Sequence, residues 1–166
     1  MSDNRLIELY EYNRWACERT AESLETLPES GEQEQAEPAA GEGRGPVAIF
    51  AHMASAGLIW LMRLNRRGEV ELPVWPDWSL EEARENNTSG CIQLLDFVKG
   101  VSPGDFKKTV TYRNSKGTEF SNTIAEILDH VNLHYHYHRG QLAMLVKRAG
   151  GTPAVTDYIF YKREDA

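Results

Sequence analysis

The sequence has few cysteines and no cysteine motif. Its 166 residues include only two cysteines, Cys17 and Cys91, which lie far apart and outside any Cys-x-x-Cys arrangement. The sequence therefore predicts neither a disulfide framework nor a cysteine-based zinc site, and a reducing cytoplasm is the expected compartment.

Long apolar runs and an excess of basic residues are also missing. The longest weakly polar run, from Val47 to Met62, is shorter than the ~20 residues that span a bilayer, and His52 interrupts it. The N-terminus lacks the apolar core of a signal peptide. With 18 Lys and Arg against 25 Asp and Glu, the net charge is −7. These features predict a cytoplasmic protein that binds neither membrane nor nucleic acid.

The length predicts a single domain over residues 1–166. Within it, residues 28–46 contain five glutamates against one arginine and no Leu, Ile, Val, Met or aromatic side chain. Because nothing in this segment can enter a core, we expect a flexible acidic loop between the first two helices.

Apolar periodicity predicts four amphipathic helices, at about residues 4–27, 47–67, 79–98 and 123–148. The third and fourth begin at capping boxes, Ser79 with Glu82 and Thr123 with Glu126. Between them, residues 107–112 and 118–122 read as two strands joined by a turn. The expected fold is an all-α four-helix bundle with a small β-hairpin before the last helix. The long connection between the second and third helices leaves the helix order open.

Four of the five histidines lie between positions 130 and 138, in the fourth predicted helix. At about 100° per residue, His134 and His138 fall in the middle of the apolar stripe. His130 lies about 60° to one side, and His136 falls nearly opposite, facing solvent or another subunit. Histidines four residues apart can bind one metal ion, or they can be core groups satisfied by hydrogen bonds.

His52 lies in the middle of the most apolar helix, so it can meet His134 and His138 across the bundle core. Three neutral imidazoles suit Zn²⁺ or Ni²⁺ better than Mg²⁺ or Ca²⁺, and they leave coordination positions open for a substrate. Tyr135 occupies the place of the glutamate in the His-Glu-x-x-His motif, so a metalloprotease is not expected.

The segment from His134 to Leu142 resembles the His-x-x-x-His-Arg-Gly-Gln motif of the DinB family of bacterial four-helix-bundle metalloproteins. Three further segments resemble the family: residues 12–16, residues 49–53 with Trp60, and residues 150–158. The resemblance covers nearly the whole chain except the acidic segment.

The resemblance implies that His52, His134 and His138 are the metal ligands, with one divalent ion per chain. His130, Gln141 and Asp157 are the candidates for orienting a ligand, and each has a plain structural alternative. A close helix contact is the expected reason for Gly140. No catalytic side chain is identified, since the chemistry is expected at the metal.

Characterised members of the family imply a metal-dependent enzyme, such as a thiol S-transferase that joins a low-molecular-weight thiol to a small electrophilic substrate. A metal-dependent hydrolase is the alternative activity. A non-catalytic metal-binding stress-response or interaction protein is the alternative outside enzymology. The resemblance also suggests a homodimer.

Overall fold

A computed structural model describes residues 3–28, 44–65, 71–114 and 116–164. Most of the acidic segment predicted to be a flexible loop, residues 29–43, lies outside these ranges. The described elements are α1 (Asp3–Leu24), α2 (Pro46–Leu64), α3 (Leu80–Gly100), a short 3-10 helix (Asp105–Lys107), β1 (Thr109–Arg113), β2 (Glu119–Thr123), α4 (Ile124–Arg148) and α5 (Tyr158–Glu164).

The four long helices form the predicted bundle. Both α1 and α2 pack chiefly against α3 and α4, and they touch each other little. α1 and α2 therefore lie diagonally across the bundle, which resolves the helix order that the sequence left open.

The predicted apolar faces form the core. On α1, the side chains of Leu6, Tyr10, Cys17 and Leu24 are all buried. α2 is the one described helix long and apolar enough to cross a membrane, but 67% of that stretch is buried inside the bundle. Its apolar character is accounted for by its position against α3 and α4.

The helix ends follow the capping signals. Ser79 and Glu82, like Thr123 and Glu126, exchange the two hydrogen bonds of a capping box. At the end of α4, Gly150 adopts a positive φ of 85°, and the Gly151 amide donates to the Val146 carbonyl at 2.9 Å. This is a Schellman ending, as the glycine pair predicts.

The hairpin is confirmed as an antiparallel pair, with Val110 opposite Asn122 and Tyr112 opposite Phe120. The sequence did not predict α5. Tyr158 and Tyr161 of α5 pack on Tyr12 and Trp15 of α1, with ring centroids 5.2 Å apart for Tyr12 and Tyr158 and 5.6 Å apart for Trp15 and Tyr161. Only seven residues long, α5 offers too short a pattern for helical periodicity to show.

Candidate metal centre

His52 of α2 meets His134 and His138 of α4 in the bundle. One ring nitrogen from each lies within 4.8 Å of the other two. The ring centroids are 5.1 Å apart for His52 and His134, 4.8 Å for His52 and His138, and 4.3 Å for His134 and His138. The three rings are nearly perpendicular, at 76–84°. We call these three residues the histidine cluster, and they could hold one metal ion.

Two of the rings are oriented by hydrogen bonds from Nδ1. His52 Nδ1 lies 2.8 Å from the Val74 carbonyl oxygen, which can only accept, so Nδ1 carries the proton. His138 Nδ1 lies 2.7 Å from Gln141 Oε1, and Gln141 Nε2 donates to the Tyr137 hydroxyl at 3.1 Å. Both bonds leave the lone pair on Nε2, the arrangement that metal-binding histidines use.

His134 supplies the clearest sign that the cluster suits a metal. Its Nε2 is buried and has no hydrogen-bond partner among the described residues. An unsatisfied buried nitrogen is costly, and a divalent ion at the centre of the cluster would satisfy it. The donor set of three imidazoles matches Zn²⁺ or Ni²⁺.

His134 and His138 are held neutral near pH 7. Burial lowers the pKa of His134 to about 3, with added repulsion from His138, His52 and His130. Burial also lowers the pKa of His138 to about 4, and His52 contributes to the shift. Neutral imidazoles keep their lone pairs for a metal, so neither ring needs to lose a proton before binding.

The connector between α2 and α3 covers one side of the cluster. Trp75 stacks on His52 with ring centroids 3.9 Å apart, and the Arg44 guanidinium lies 4.3 Å from the Trp75 ring centroid. Ser55 donates to the Pro73 carbonyl at 2.5 Å, which fixes the connector to α2. The connector therefore packs against a candidate ligand through Trp75.

His130 lies at the other side of the cluster, as its position on the helix predicts. Its ring is 5.7 Å from that of His134 and 5.1 Å from that of Trp60. Burial lowers the pKa of His130, with a contribution from Arg63. The Arg63 guanidinium stacks over Trp60 at 4.5 Å and over Tyr112 at 4.7 Å.

The other candidate residues take different positions. His136 is exposed, as expected from the helix phase. Gln141 contacts His138, whereas Asp157 is exposed before α5, where its backbone carbonyl accepts from the Phe160 amide.

The close helix contact predicted for Gly140 of α4 is not made within the described chain. Within the described chain, a Cβ on Gly140 would meet nothing within 4 Å. The close helix contact is made instead by Gly57 of α2, where an added Cβ would collide with the Tyr135 hydroxyl oxygen. A buried tyrosine on α4 therefore requires the absence of a side chain on α2, not on its own helix.

Sequence reasoning missed the supporting groups of His52. The Val74 partner is a backbone carbonyl, which no residue type signals. Trp75 lies in the connector between α2 and α3, and its stacking on His52 depends on how that connector folds back over α2.

Comparisons with known proteins agree with this fold. The DinB family model matches residues 1–165. Protein DinB of Bacillus subtilis (strain 168) is 22% identical over 166 residues, covering 93% of this chain and 91% of its own. The crystal structure of a DinB-like protein from Bacillus cereus ATCC 10987 superposes with a TM-score of 0.68 at 16% identity, covering 90% of this chain and 94% of that one. The chain belongs to the DinB family.

Proposed function

We propose that this protein is a metal-dependent enzyme that transfers a low-molecular-weight thiol to a small electrophilic substrate. His52, His134 and His138 would hold one Zn²⁺ or Ni²⁺ ion. The observation that supports metal binding is the convergence of three imidazoles, one with a buried nitrogen that lacks a partner among the described residues. When bound, the ion would lower the pKa of a thiol ligand and so supply a thiolate nucleophile.

The charge of the cluster favours an anionic ligand such as a thiolate. Three neutral imidazoles leave the full charge of a divalent ion uncompensated. The groups that shift the pKa of His134 and His138 are histidines and Gln141, with no carboxylate among them. Arg44, stacked on Trp75, and Arg63, stacked on Trp60, add positive charge on either side.

The chemistry of the supporting groups favours thiol transfer over hydrolysis of the zincin type. A hydrolase of the zincin type uses a carboxylate beside its metal as a general base. Here Nδ1 of His52 donates to a backbone carbonyl and Nδ1 of His138 donates to the side-chain amide oxygen of Gln141, and neither acceptor is a base at neutral pH. A thiol ionises on a divalent ion without a separate base, so thiol transfer needs no carboxylate beside the metal.

In this proposal the chain's own residues bind the metal ion and orient the histidines that hold it. The Val74 carbonyl and Gln141 fix the ring planes of His52 and His138. Trp75 shields one face of His52 from water. Arg44 and Arg63 attract an anionic thiol or substrate, and salt weakens this attraction.

The test is metal analysis followed by thiol-transfer assays. Purified protein loaded with Zn²⁺ or Ni²⁺ should hold about one ion per chain, and His52→Ala and His138→Ala should lower metal affinity by orders of magnitude. His136→Ala is the matched control, because His136 is exposed on the far side of α4 from the cluster. We expect that variant to bind metal as the unmodified protein does.

Activity is then measured with a panel of thiols and electrophiles. Thiol-dependent loss of the electrophile, abolished in His138→Ala and kept in His136→Ala, would support the proposal. Metal-dependent turnover without thiol would show a hydrolase instead. Full metal occupancy with no turnover of either kind would favour a non-catalytic metal-binding protein.

A further inference from the structure

Two thiols from different helices meet in the interior of the bundle. Cys17 of α1 and Cys91 of α3 are 2% and 4% exposed, and their side chains are hydrogen-bonded to each other. The single proton of Cys91 has two acceptors within reach, the Cys17 sulfur and, at 3.3 Å, Asn87 Oδ1. Neither thiol belongs to the histidine cluster, so the proposed function leaves this pair unexplained.

Arg139 of α4 brings a positive charge to the two thiols. Its side chain is 4% exposed, and its hydrogen bonds to Asn13 and Tyr12 go to neutral oxygens. Among the described residues no carboxylate forms an ion pair with it. A buried charge without a counterion is costly. Cys17 is hydrogen-bonded to the Arg139 side chain, so a Cys17 thiolate would supply the missing negative charge.

The two thiols differ in how readily they ionise. Burial raises the pKa of Cys17, but the hydrogen bond from Cys91 and the charge of Arg139 outweigh burial and bring the pKa below its ordinary value. The hydrogen bond to Cys17, together with burial, raises the pKa of Cys91. The thiolate is the nucleophile in thiol chemistry. Cys17 is therefore the nucleophile of the pair, and Cys91 is the thiol that keeps its proton.

Two buried hydrogen-bond donors beside the sulfurs lack a partner among the described residues. They are Nδ2 of Asn87, a side chain that is 2% exposed, and Nε of Arg139. Asn87 contacts Cys91, and Arg139 contacts Cys17. Unsatisfied buried donors of this kind indicate a small polar molecule held beside them. A molecule that carries oxygen acceptors matches these donors.

We propose that Cys17 and Cys91 form an oxidisable dithiol that reduces small, uncharged hydroperoxides. The Cys17 thiolate attacks one oxygen of the O–O bond, which leaves a sulfenic acid on Cys17. The other oxygen departs and takes up a proton, giving an alcohol, or water from hydrogen peroxide. Cys91 then attacks the Cys17 sulfur, which forms the disulfide and releases one water. Two thiols and one hydroperoxide thus give one disulfide, one alcohol and one water, with sulfur oxidised and oxygen reduced.

The burial of the two sulfurs determines which oxidants can reach them. Thiolate character favours oxidation, whereas low exposure restricts it to small molecules. Oxidised glutathione is bulky and charged, and it reacts only if the thiolate contacts one of its sulfurs. We therefore expect the folded chain to react with hydrogen peroxide and not with oxidised glutathione. The inference is independent of the proposed function, because the reaction needs no bound metal and no thiol other than the two in the chain.

The first experiment exposes the reduced, folded protein to hydrogen peroxide and then alkylates the remaining thiols in urea. Mass spectrometry should show both thiols lost together, as one Cys17–Cys91 disulfide within the chain. Oxidised glutathione should leave both thiols free in the folded protein, and it should modify the unfolded chain in urea, which is the control. Two free thiols after an exposure to peroxide about tenfold longer than free cysteine requires would overturn the proposal. A glutathione mixed disulfide on the folded chain would also overturn it.

Serine variants test the separate roles of the two thiols. In Cys91→Ser the hydroxyl keeps a donor beside Cys17, and peroxide should stop at a Cys17 sulfenic acid that dimedone traps. In Cys17→Ser the remaining thiol keeps its proton, so Cys91 should react at least ~10-fold more slowly than Cys17 does in the other variant. Equal rates in the two variants, or faster oxidation of Cys91, would contradict the assigned roles. Urea titration checks that each variant folds, and the test on the unmodified protein does not depend on them.

Discussion

His138 and Arg139 are neighbours in sequence, but they belong to two polar clusters of opposite character. His138 faces α2 in the histidine cluster. Arg139 faces α1, where it donates to Asn13 Oδ1 and, at 3.3 Å, to the Tyr12 hydroxyl. We call Arg139, Asn13, Tyr12 and Cys17 the arginine cluster. Both clusters place polar groups inside an apolar bundle, and they differ in what satisfies those groups.

In the arginine cluster the protein supplies partners for both terminal nitrogens of Arg139, and only its Nε is buried without a partner among the described residues. Arg139 is 4% exposed and Cys17 is 2% exposed. Burial acts to raise the pKa of Cys17, but the hydrogen bond to Cys91 and the charge of Arg139 outweigh it and bring the pKa below its ordinary value. The histidine cluster, by contrast, points lone pairs at a shared centre and leaves His134 Nε2 without a partner among the described residues. A polar cluster in a core thus suits a ligand when its donor atoms converge and remain unsatisfied.

The largest expected difference between the two clusters is their response to chelation. Metal bound only by the folded state stabilises it by about 4 kcal/mol at a thousandfold excess over the dissociation constant. Removing metal with a chelator should therefore lower the melting temperature by several degrees in the unmodified protein. Calorimetry with metal loss verified checks this. An unchanged melt would mean that the histidines have only a structural role.

The arginine cluster should respond to substitution without any change in metal binding. Asn13→Ala removes an acceptor from the buried guanidinium, and hydrogen bonds to charged groups contribute about 1.5–3 kcal/mol. We expect the free energy of unfolding, measured by urea titration, to fall by about 2 kcal/mol with unchanged metal affinity. Asn13→Asp, which keeps the acceptor, is the control. Loss of metal binding in Asn13→Ala would show that the two clusters are coupled.

Substitutions of Gln141 test how far metal binding depends on the hydrogen bond that orients the His138 ring. Gln141→Leu removes the acceptor of His138 Nδ1, and losses of this kind cost about 10–100-fold in metal affinity. Gln141→Glu keeps an acceptor and should retain most of the affinity. Competition with a chromophoric chelator measures both. Equal affinity in the leucine variant would mean that packing alone orients the His138 ring.

The smallest expected effect, taken per pH unit, is the loss of free energy of unfolding that the metal-free protein shows as the pH falls. The unfolded histidines take up protons near pH 6.5, whereas the lowered pKa values keep folded His134 and His138 neutral until about pH 3 and 4. The unfolded state therefore gains protons as pH falls, and stability drops on the acid side of pH 6.5. With some solvent contact at His134, we expect on the order of 1 kcal/mol per unit between about pH 6.5 and 4.5.

The double variant His134→Ala/His138→Ala should lose most of this slope while still unfolding cooperatively in urea. The window lies above the range in which most carboxylates take up protons, which separates the histidine contribution from theirs. An unchanged slope would place the acid sensitivity elsewhere.

The sequence predicted that His134 and His138 lie together because residues four apart in a helix lie on the same face. His134 and His138 share the face of Val131 and Leu142, and both those apolar residues are buried. The capping boxes fixed the starts of α3 and α4 for the same local reason. What the sequence did not reveal depends on contacts distant along the chain. Arg139 is buried with Asn13, 126 residues away in sequence, as its hydrogen-bond acceptor. No local sequence pattern predicts such a distant partner.

The support that the connector gives His52 has a particular genetic consequence. Its acceptor is the carbonyl of Val74, and every amino acid carries a carbonyl, so no single substitution at position 74 deletes it. A change in the length of the connector would remove the support, because one residue inserted between Leu72 and Pro73 would move both the Val74 carbonyl and Trp75 away from the His52 imidazole. The connector should therefore accept many residue replacements at its exposed positions and few insertions or deletions.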